Sequence, residues 1–131
     1  MDPAVEEGIR RAYAAFAAGD IDTAMASFAP DVKMVNPDYA MESGVRRGLD
    51  SMRDGLQSLH DQFDYESLEI LEMDEGPSGL LVVARLRAFG SASGVPIDET
   101  FTHVFATCDG QVVSYRWFRT REEGLEAAGL A

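Results

Sequence analysis

Asn36, held in front of Pro37, and His103, set between Phe101 and Phe105 with Thr102 and Val104 interleaved, are polar residues whose positions invite chemistry. Pro37 biases Asn36 toward extended backbone and offers no N–H to a sheet, so a strand running into it presents the Asn36 side chain at an element edge. An imidazole among apolar rings is either a satisfied buried or interface histidine or a group that moves a proton near neutral pH. Tyr13, Phe16, Met34, Tyr115 and Trp117 add aromatic and soft apolar surface, the usual lining of a small-ligand pocket that carries few polar groups. Tyr13 and Phe16 lie on a core stripe, and aromatics at helical spacing are more often packing than ligand contacts. Tyr115, Trp117 and Arg119 share one face of a strand by alternation. On the strand before it, Thr100, Thr102 and Val104 share one face and Phe101, His103 and Phe105 the other. Parity alone leaves open which set points inward.

Other chemistries are poorly served. His60 and His103 are the only histidines, and neither falls in a ligand-spaced cluster with Cys or carboxylates, so no metal is expected. His60, beside Asp61, reads as a solvated surface residue. Glycines are scattered with no phosphate-loop or dinucleotide fingerprint, serines lack a nucleophile-elbow context, and no cofactor is expected. Cys108 is alone, which excludes an intrachain disulfide. Arg116, Arg119, Arg121, Glu122 and Glu123 read as ordinary surface pairs. Eleven basic residues against 23 acidic ones leave a formal net charge of −12. That balance argues against nucleic acid or an anionic membrane as partner, because both need a basic footprint. An acidic N-terminus without an apolar run, and no stretch of bilayer-spanning length, lead to the expectation of a cytoplasmic protein.

The elements that must position these residues follow from periodicity. Val5, Ile9, Ala12, Tyr13 and Phe16 recur at helical spacing, and Gly19 is suited to an αL stop. Asp20 is placed to cap a second short helix carrying Ile21, Met25 and Phe28. Val32 to Asn36 alternates as a short strand, and Pro37 to Gly48 reads as a loop. A third helix carries Met52, Leu56, Leu59 and Phe63. Strands are predicted over Phe63 to Met73, Leu80 to Phe89, Ile97 to Thr107 and Gln111 to about Arg119, with a closing helical segment from Arg121 to Ala128. Asp109-Gly110 is a strong hairpin signal, since both residues tolerate positive φ. Helices first and a meander of strands afterwards imply one α+β domain over residues 1–131, with a mostly antiparallel sheet curled around three N-terminal helices.

With these residues in view, the chain resembles the nuclear-transport-factor-2-like superfamily, and within it the SnoaL-like domains, relatives of the polyketide cyclases and ketosteroid isomerases. The resemblance rests on Tyr13-Ala14-Ala15-Phe16-Ala17-Ala18-Gly19-Asp20, on Asp109-Gly110-Gln111-Val112-Val113, and on the tail from Arg121 to Leu130. It implies a conical α+β fold with a deep pocket between helices and sheet, often a homodimer through the outer sheet face, and a small hydrophobic ligand. Ketosteroid isomerases use an Asp base with an oxyanion hole made by a Tyr and a protonated Asp, a well-known instance of pKa tuning. Counted without gaps, those three positions fall on Asn36, Ala12 and Thr102, so all three residue types are missing. An amide cannot abstract a proton, and no steroid isomerase activity is expected. Two principal readings follow. In one, the protein is a cyclase, isomerase or dehydratase with His103 or Asp38 as the acid–base group, while Asn36, Thr102 and Trp117 orient the substrate. In the other, the same pocket, lined by Tyr13, Phe16, Met34 and Tyr115, binds a ligand without converting it. A protein-interaction role is a third reading, for which no residue patch stands out.

Overall fold

A computed structural model describes residues 2–38 and 44–131. Its chain begins with α1 (Pro3–Ala17), where the Asp2 carboxylate accepts from the Ala4 N–H at 2.9 Å and Pro3 fills the first turn. Gly19 leaves α1 with φ +84°, and the Asp20 side chain then accepts from the Thr23 N–H at 3.2 Å to open α2 (Ile21–Ala24). Both local expectations hold. The second helix is one turn long, however, and Phe28 already belongs to β1 (Phe28–Asn36). Pro30 sits inside β1 where its pairing register with the neighbouring strand shifts, the kind of position that tolerates a missing N–H.

The segment expected as loop contains a strand, β2 (Gly44–Arg47), antiparallel to the end of β1. Its residues are mostly exposed at the sheet edge, so it carries no apolar alternation by which a sequence could announce it. Then come α3 (Leu49–Asp61), β3 (Phe63–Gly76), β4 (Gly79–Gly90), β5 (Pro96–Cys108), β6 (Gln111–Phe118) and α4 (Arg121–Ala128). Asp109 and Gly110 both take positive φ between β5 and β6, as their types predict.

The strands form one curved, open sheet in the order β2-β1-β6-β5-β4-β3. Every pairing is antiparallel except β1 with β6. Helices α1 and α3 lie across the concave face and build the main core with Ile9, Met52, Leu56, Val32 and Val82. On the opposite face α4 covers β4 and β5, where Leu81, Val83, Val104 and Ala128 form a second, separate cluster. No helix among the described residues is long and apolar enough to cross a membrane.

Candidate functional site: an apolar cavity around a tyrosine–histidine–tyrosine chain

Between α1, α3 and the concave sheet face lies a cavity of about 420 Å³. Its walls are overwhelmingly apolar, and period-two alternation decides which residues of β5 reach it. Ile97, Glu99, Phe101, His103 and Phe105 all face the cavity. The open question of parity is therefore resolved in favour of His103, and Thr102 lies on the other face. There Thr102 is 1% exposed beneath α4, and a Cβ built on Gly124 would sit 2.3 Å from its Cγ2. The expectation that Thr102 contacts a substrate is corrected by this packing, since its side chain lies beneath α4 and outside the cavity lining.

Tyr13, Phe16, Met34, Asn36, Tyr115 and Trp117 all line the cavity together with His103. Ala12 lines it too, beside Tyr13. Tyr115 and Trp117 stay on this face with Val112, despite the odd spacing, because β6 carries an irregularity opposite Ala106/Thr107 that adds a residue to the strand. Asp38 does not join them. It stands exposed in the turn after Pro37, outside the cavity lining.

His103 sits at the centre of the polar arrangement. The Tyr13 hydroxyl from α1 lies 2.5 Å from Nδ1, and the Tyr115 hydroxyl from β6 lies 2.6 Å from Nε2. Trp117 is directly opposite His103 in the β5–β6 register, whereas Tyr115 is opposite Phe105 and reaches His103 on the diagonal. The Phe101 ring is 4.8 Å from the imidazole, centroid to centroid, and the Tyr115 ring is 4.6 Å away. Burial pushes the His103 pKa from 6.5 down to about 3, so the ring is neutral at physiological pH. Burial likewise pushes both tyrosine hydroxyls well above their ordinary value.

A neutral imidazole has one N–H donor and one acceptor nitrogen, so the two tyrosines cannot play the same role. In one tautomer Tyr13 donates to Nδ1, and the Nε2–H donates to the Tyr115 oxygen. In the other, Tyr115 donates to Nε2, and the Nδ1–H donates to Tyr13. Three protons serve two hydrogen bonds. In either case one tyrosine hydroxyl keeps a proton to offer elsewhere, and it does so inside a cavity of low polarity, where such a donor is strong.

Sequence reasoning missed two features of the cavity wall. Glu99 is the one carboxylate among the described lining residues, exposed and on the same alternation as His103. Tyr65 of β3 also lines the cavity, and its ring stacks on His60 at 4.9 Å with 2° between planes, while Phe16 meets both edge-on. His60 is thus half-buried in an aromatic cluster, not solvated as its place off the helix stripe implied. Burial raises the Tyr65 pKa to about 12. Among the described residues no group of three or more His, Cys, Asp or Glu gathers as a metal site.

Known structures share this architecture at low sequence identity. A Bacillus subtilis protein provisionally assigned as an isomerase superposes with a TM-score of 0.79 at 15% identity, covering 98% of this chain and 96% of that one. A protein from Jannaschia sp. CCS1, provisionally assigned as a SnoaL-like polyketide cyclase, gives 0.78 at 19% identity, covering 100% and 96%. TerC, co-crystallised with polyporic acid, gives 0.76 at 20% identity, covering 95% and 98%. At such identities the likeness establishes the fold alone. No curated protein gives a significant sequence match. The family model for the SnoaL-like domain matches residues 9–115, from within α1 to within β6, a span that includes Tyr13, His103 and Tyr115, and the protein belongs to that family.

Proposed function

We propose that the protein binds a small, neutral, hydrophobic molecule and acts on it by polarising one of its oxygen atoms, as a cyclase, isomerase or dehydratase does. The observation that carries this reading is the Tyr13–His103–Tyr115 chain, which leaves one hydroxyl proton spare and whose three residues all line an apolar cavity of about 420 Å³. A carbonyl oxygen entering that cavity gains a preorganised donor whose strength grows as charge builds on the oxygen. A carboxylate gains much less, because no cationic residue lines the described wall and an uncompensated buried charge is costly. His103 contributes by fixing the hydroxyls, since a ring that protonates only near pH 3 is a weak base. Asn36 and Trp117 border the same space and are placed to orient the ligand. TerC, seen with polyporic acid, is a precedent for ligand binding in this fold.

The chain has a single tryptophan, Trp117, in the cavity wall, so its fluorescence reports occupancy. Titration with 2-acetonaphthone is expected to quench it saturably, and 2-naphthoate is expected to bind at least tenfold more weakly. Equal binding of the two, or none of the ketone, overturns the reading.

A second reading, binding without conversion, is favoured by one observation: the polar residue that ends β1 at the cavity is the amide Asn36, and the wall's one described carboxylate, Glu99, is exposed. Mass spectrometry of the purified protein discriminates the two, because a retained compound that is never altered on incubation supports the binding module. Neither reading predicts conversion of a 5-ene to a 4-ene steroid. A rate well above buffer in that assay would contradict both.

A further inference from the structure

We propose that Tyr13, His103 and Tyr115 form a two-way proton relay, in which the tautomer of the imidazole decides which tyrosine is the donor to a bound molecule. The relay rests on its own geometry, and only the identity of the molecule it serves rests on the function proposed above. The two hydrogen bonds are short, 2.5 and 2.6 Å, and they address opposite nitrogens of one ring. The hydroxyls come from α1 on one side and β6 on the other, and both residues border the cavity.

The proton accounting closes without any group becoming charged. Starting with Tyr13 donating to Nδ1, the Tyr115 hydroxyl gives its proton to an acceptor atom of the ligand, forming a new bond there. The Nε2 proton moves to the Tyr115 oxygen, and the Tyr13 proton moves to Nδ1. The Tyr13 oxygen then takes the proton that leaves the ligand at its other end, where one bond breaks. The ligand is shifted to its tautomer, no electrons are transferred to or from the protein, and the chain ends in its mirror state, ready for the reverse. The substrate class is a neutral molecule carrying both a labile proton and an acceptor, such as a hydroxy-carbonyl compound or the enol of a dicarbonyl. Neutral exchange suits a buried chain, because an isolated ion at any of the three groups would be heavily penalised there.

The test needs no ligand. Nitrogen-15 NMR of histidine-labelled protein distinguishes the two neutral tautomers, and the chain has only two histidines, so the His103→Gln variant assigns the signals. An orphaned buried N–H is rarer than an under-satisfied acceptor, so the ring proton should follow whichever tyrosine remains. Tyr13→Phe is expected to lock the Nε2–H form against Tyr115, and Tyr115→Phe the Nδ1–H form against Tyr13. The wild type is expected to fall between these extremes. The same tautomer in both variants, a wild type coinciding with either, or a charged ring at pH 7 overturns the relay. Should a variant fold poorly, the comparison with the remaining one and the wild-type signal decides the matter alone. If the tautomers lock as expected but 2-acetonaphthone does not bind, the relay stands and the ligand reading falls; binding with unchanged tautomers gives the reverse.

Discussion

The two faces of β5 are drawn from alternate residues of one 13-residue strand and have opposite fates. The odd-numbered side chains, Phe101, His103 and Phe105 among them, are large, and they border empty space. Thr102 and Val104 on the other side are small, and they are packed without room: at Gly124 of α4 even a methyl group would collide with Thr102 and approach Leu81 Cδ1 to 3.0 Å. Big residues that leave a void and small residues that fill one are not an intuitive pairing. The difference is made by what lies opposite. A one-residue-deep contact with a short helix closes the convex face, whereas α1 and α3 bridge the concave face at a distance and leave a chamber beneath them. The convex face is closed by packing, and the concave face borders a cavity.

The sharpest way to break this comparison is Leu81→Ala, which empties part of the packed convex face. Leu81 is fully buried, and such a truncation is expected to cost about 2–5 kcal/mol, read by denaturant unfolding. Where the variant remains folded, its affinity for 2-acetonaphthone should be unchanged, and an altered affinity would show that the two faces are coupled.

Acid titration probes the concave face next. The folded-state pKa of His103 is depressed from 6.5 to about 3, so the unfolded chain binds a proton that the folded chain refuses. The stability this group confers is intact above pH 6.5 and is lost as pH falls toward 3, by about 1.4 kcal/mol per pH unit. The His103→Gln variant should lack that portion of the acid limb. An unchanged slope would mean that the ring is already charged in the fold.

Removing both hydroxyls, as Tyr13→Phe with Tyr115→Phe, should lower ketone affinity by roughly tenfold, the worth of one hydrogen bond to an acceptor in an apolar site. The smallest expected effect on binding is that of Thr102→Val on the convex face: no change in ligand affinity, although losing a buried hydroxyl and stranding its partner is expected to cost about 1–3 kcal/mol of stability. A loss of binding there would restore Thr102 to the site that its burial beneath α4 denies it.

How much of this was legible in the sequence depends on how local each signal is. Gly19, Asp20 and the Asp109-Gly110 turn act within a few residues, and the structure uses each as its type dictates. The curved α+β architecture was legible for the same reason, through the order of periodic segments. The inward face of β5 was not. Residues 102–105 are all buried, because α4 covers the side that an exposed sheet would leave polar, and alternation therefore carries no contrast. His60 was misread because its partner Tyr65 belongs to the following strand, which a helical stripe does not register. Strand β2 lacks a buried face to betray it. The hydroxyl–imidazole–hydroxyl chain joins residues 13, 103 and 115, and only the folded sheet brings α1 over the β5–β6 hairpin to assemble it.

The parallel contact between β1 and β6 also orders events during synthesis. Strand β1 has two neighbours, the four-residue β2 and β6, and Met34 pairs with Tyr115 some eighty residues later in the chain. As the polypeptide emerges, its first third holds helices and a strand whose main partner has not yet been made. The β3–β4–β5 meander, built of neighbours in sequence, is free to assemble first. Joining the two portions closes a long loop and is the slow kind of step that distant pairings impose. The chamber therefore comes into being only when the last strand arrives, so a nascent or truncated chain lacking β6 has neither its roof anchored nor Tyr115 and Trp117 in place.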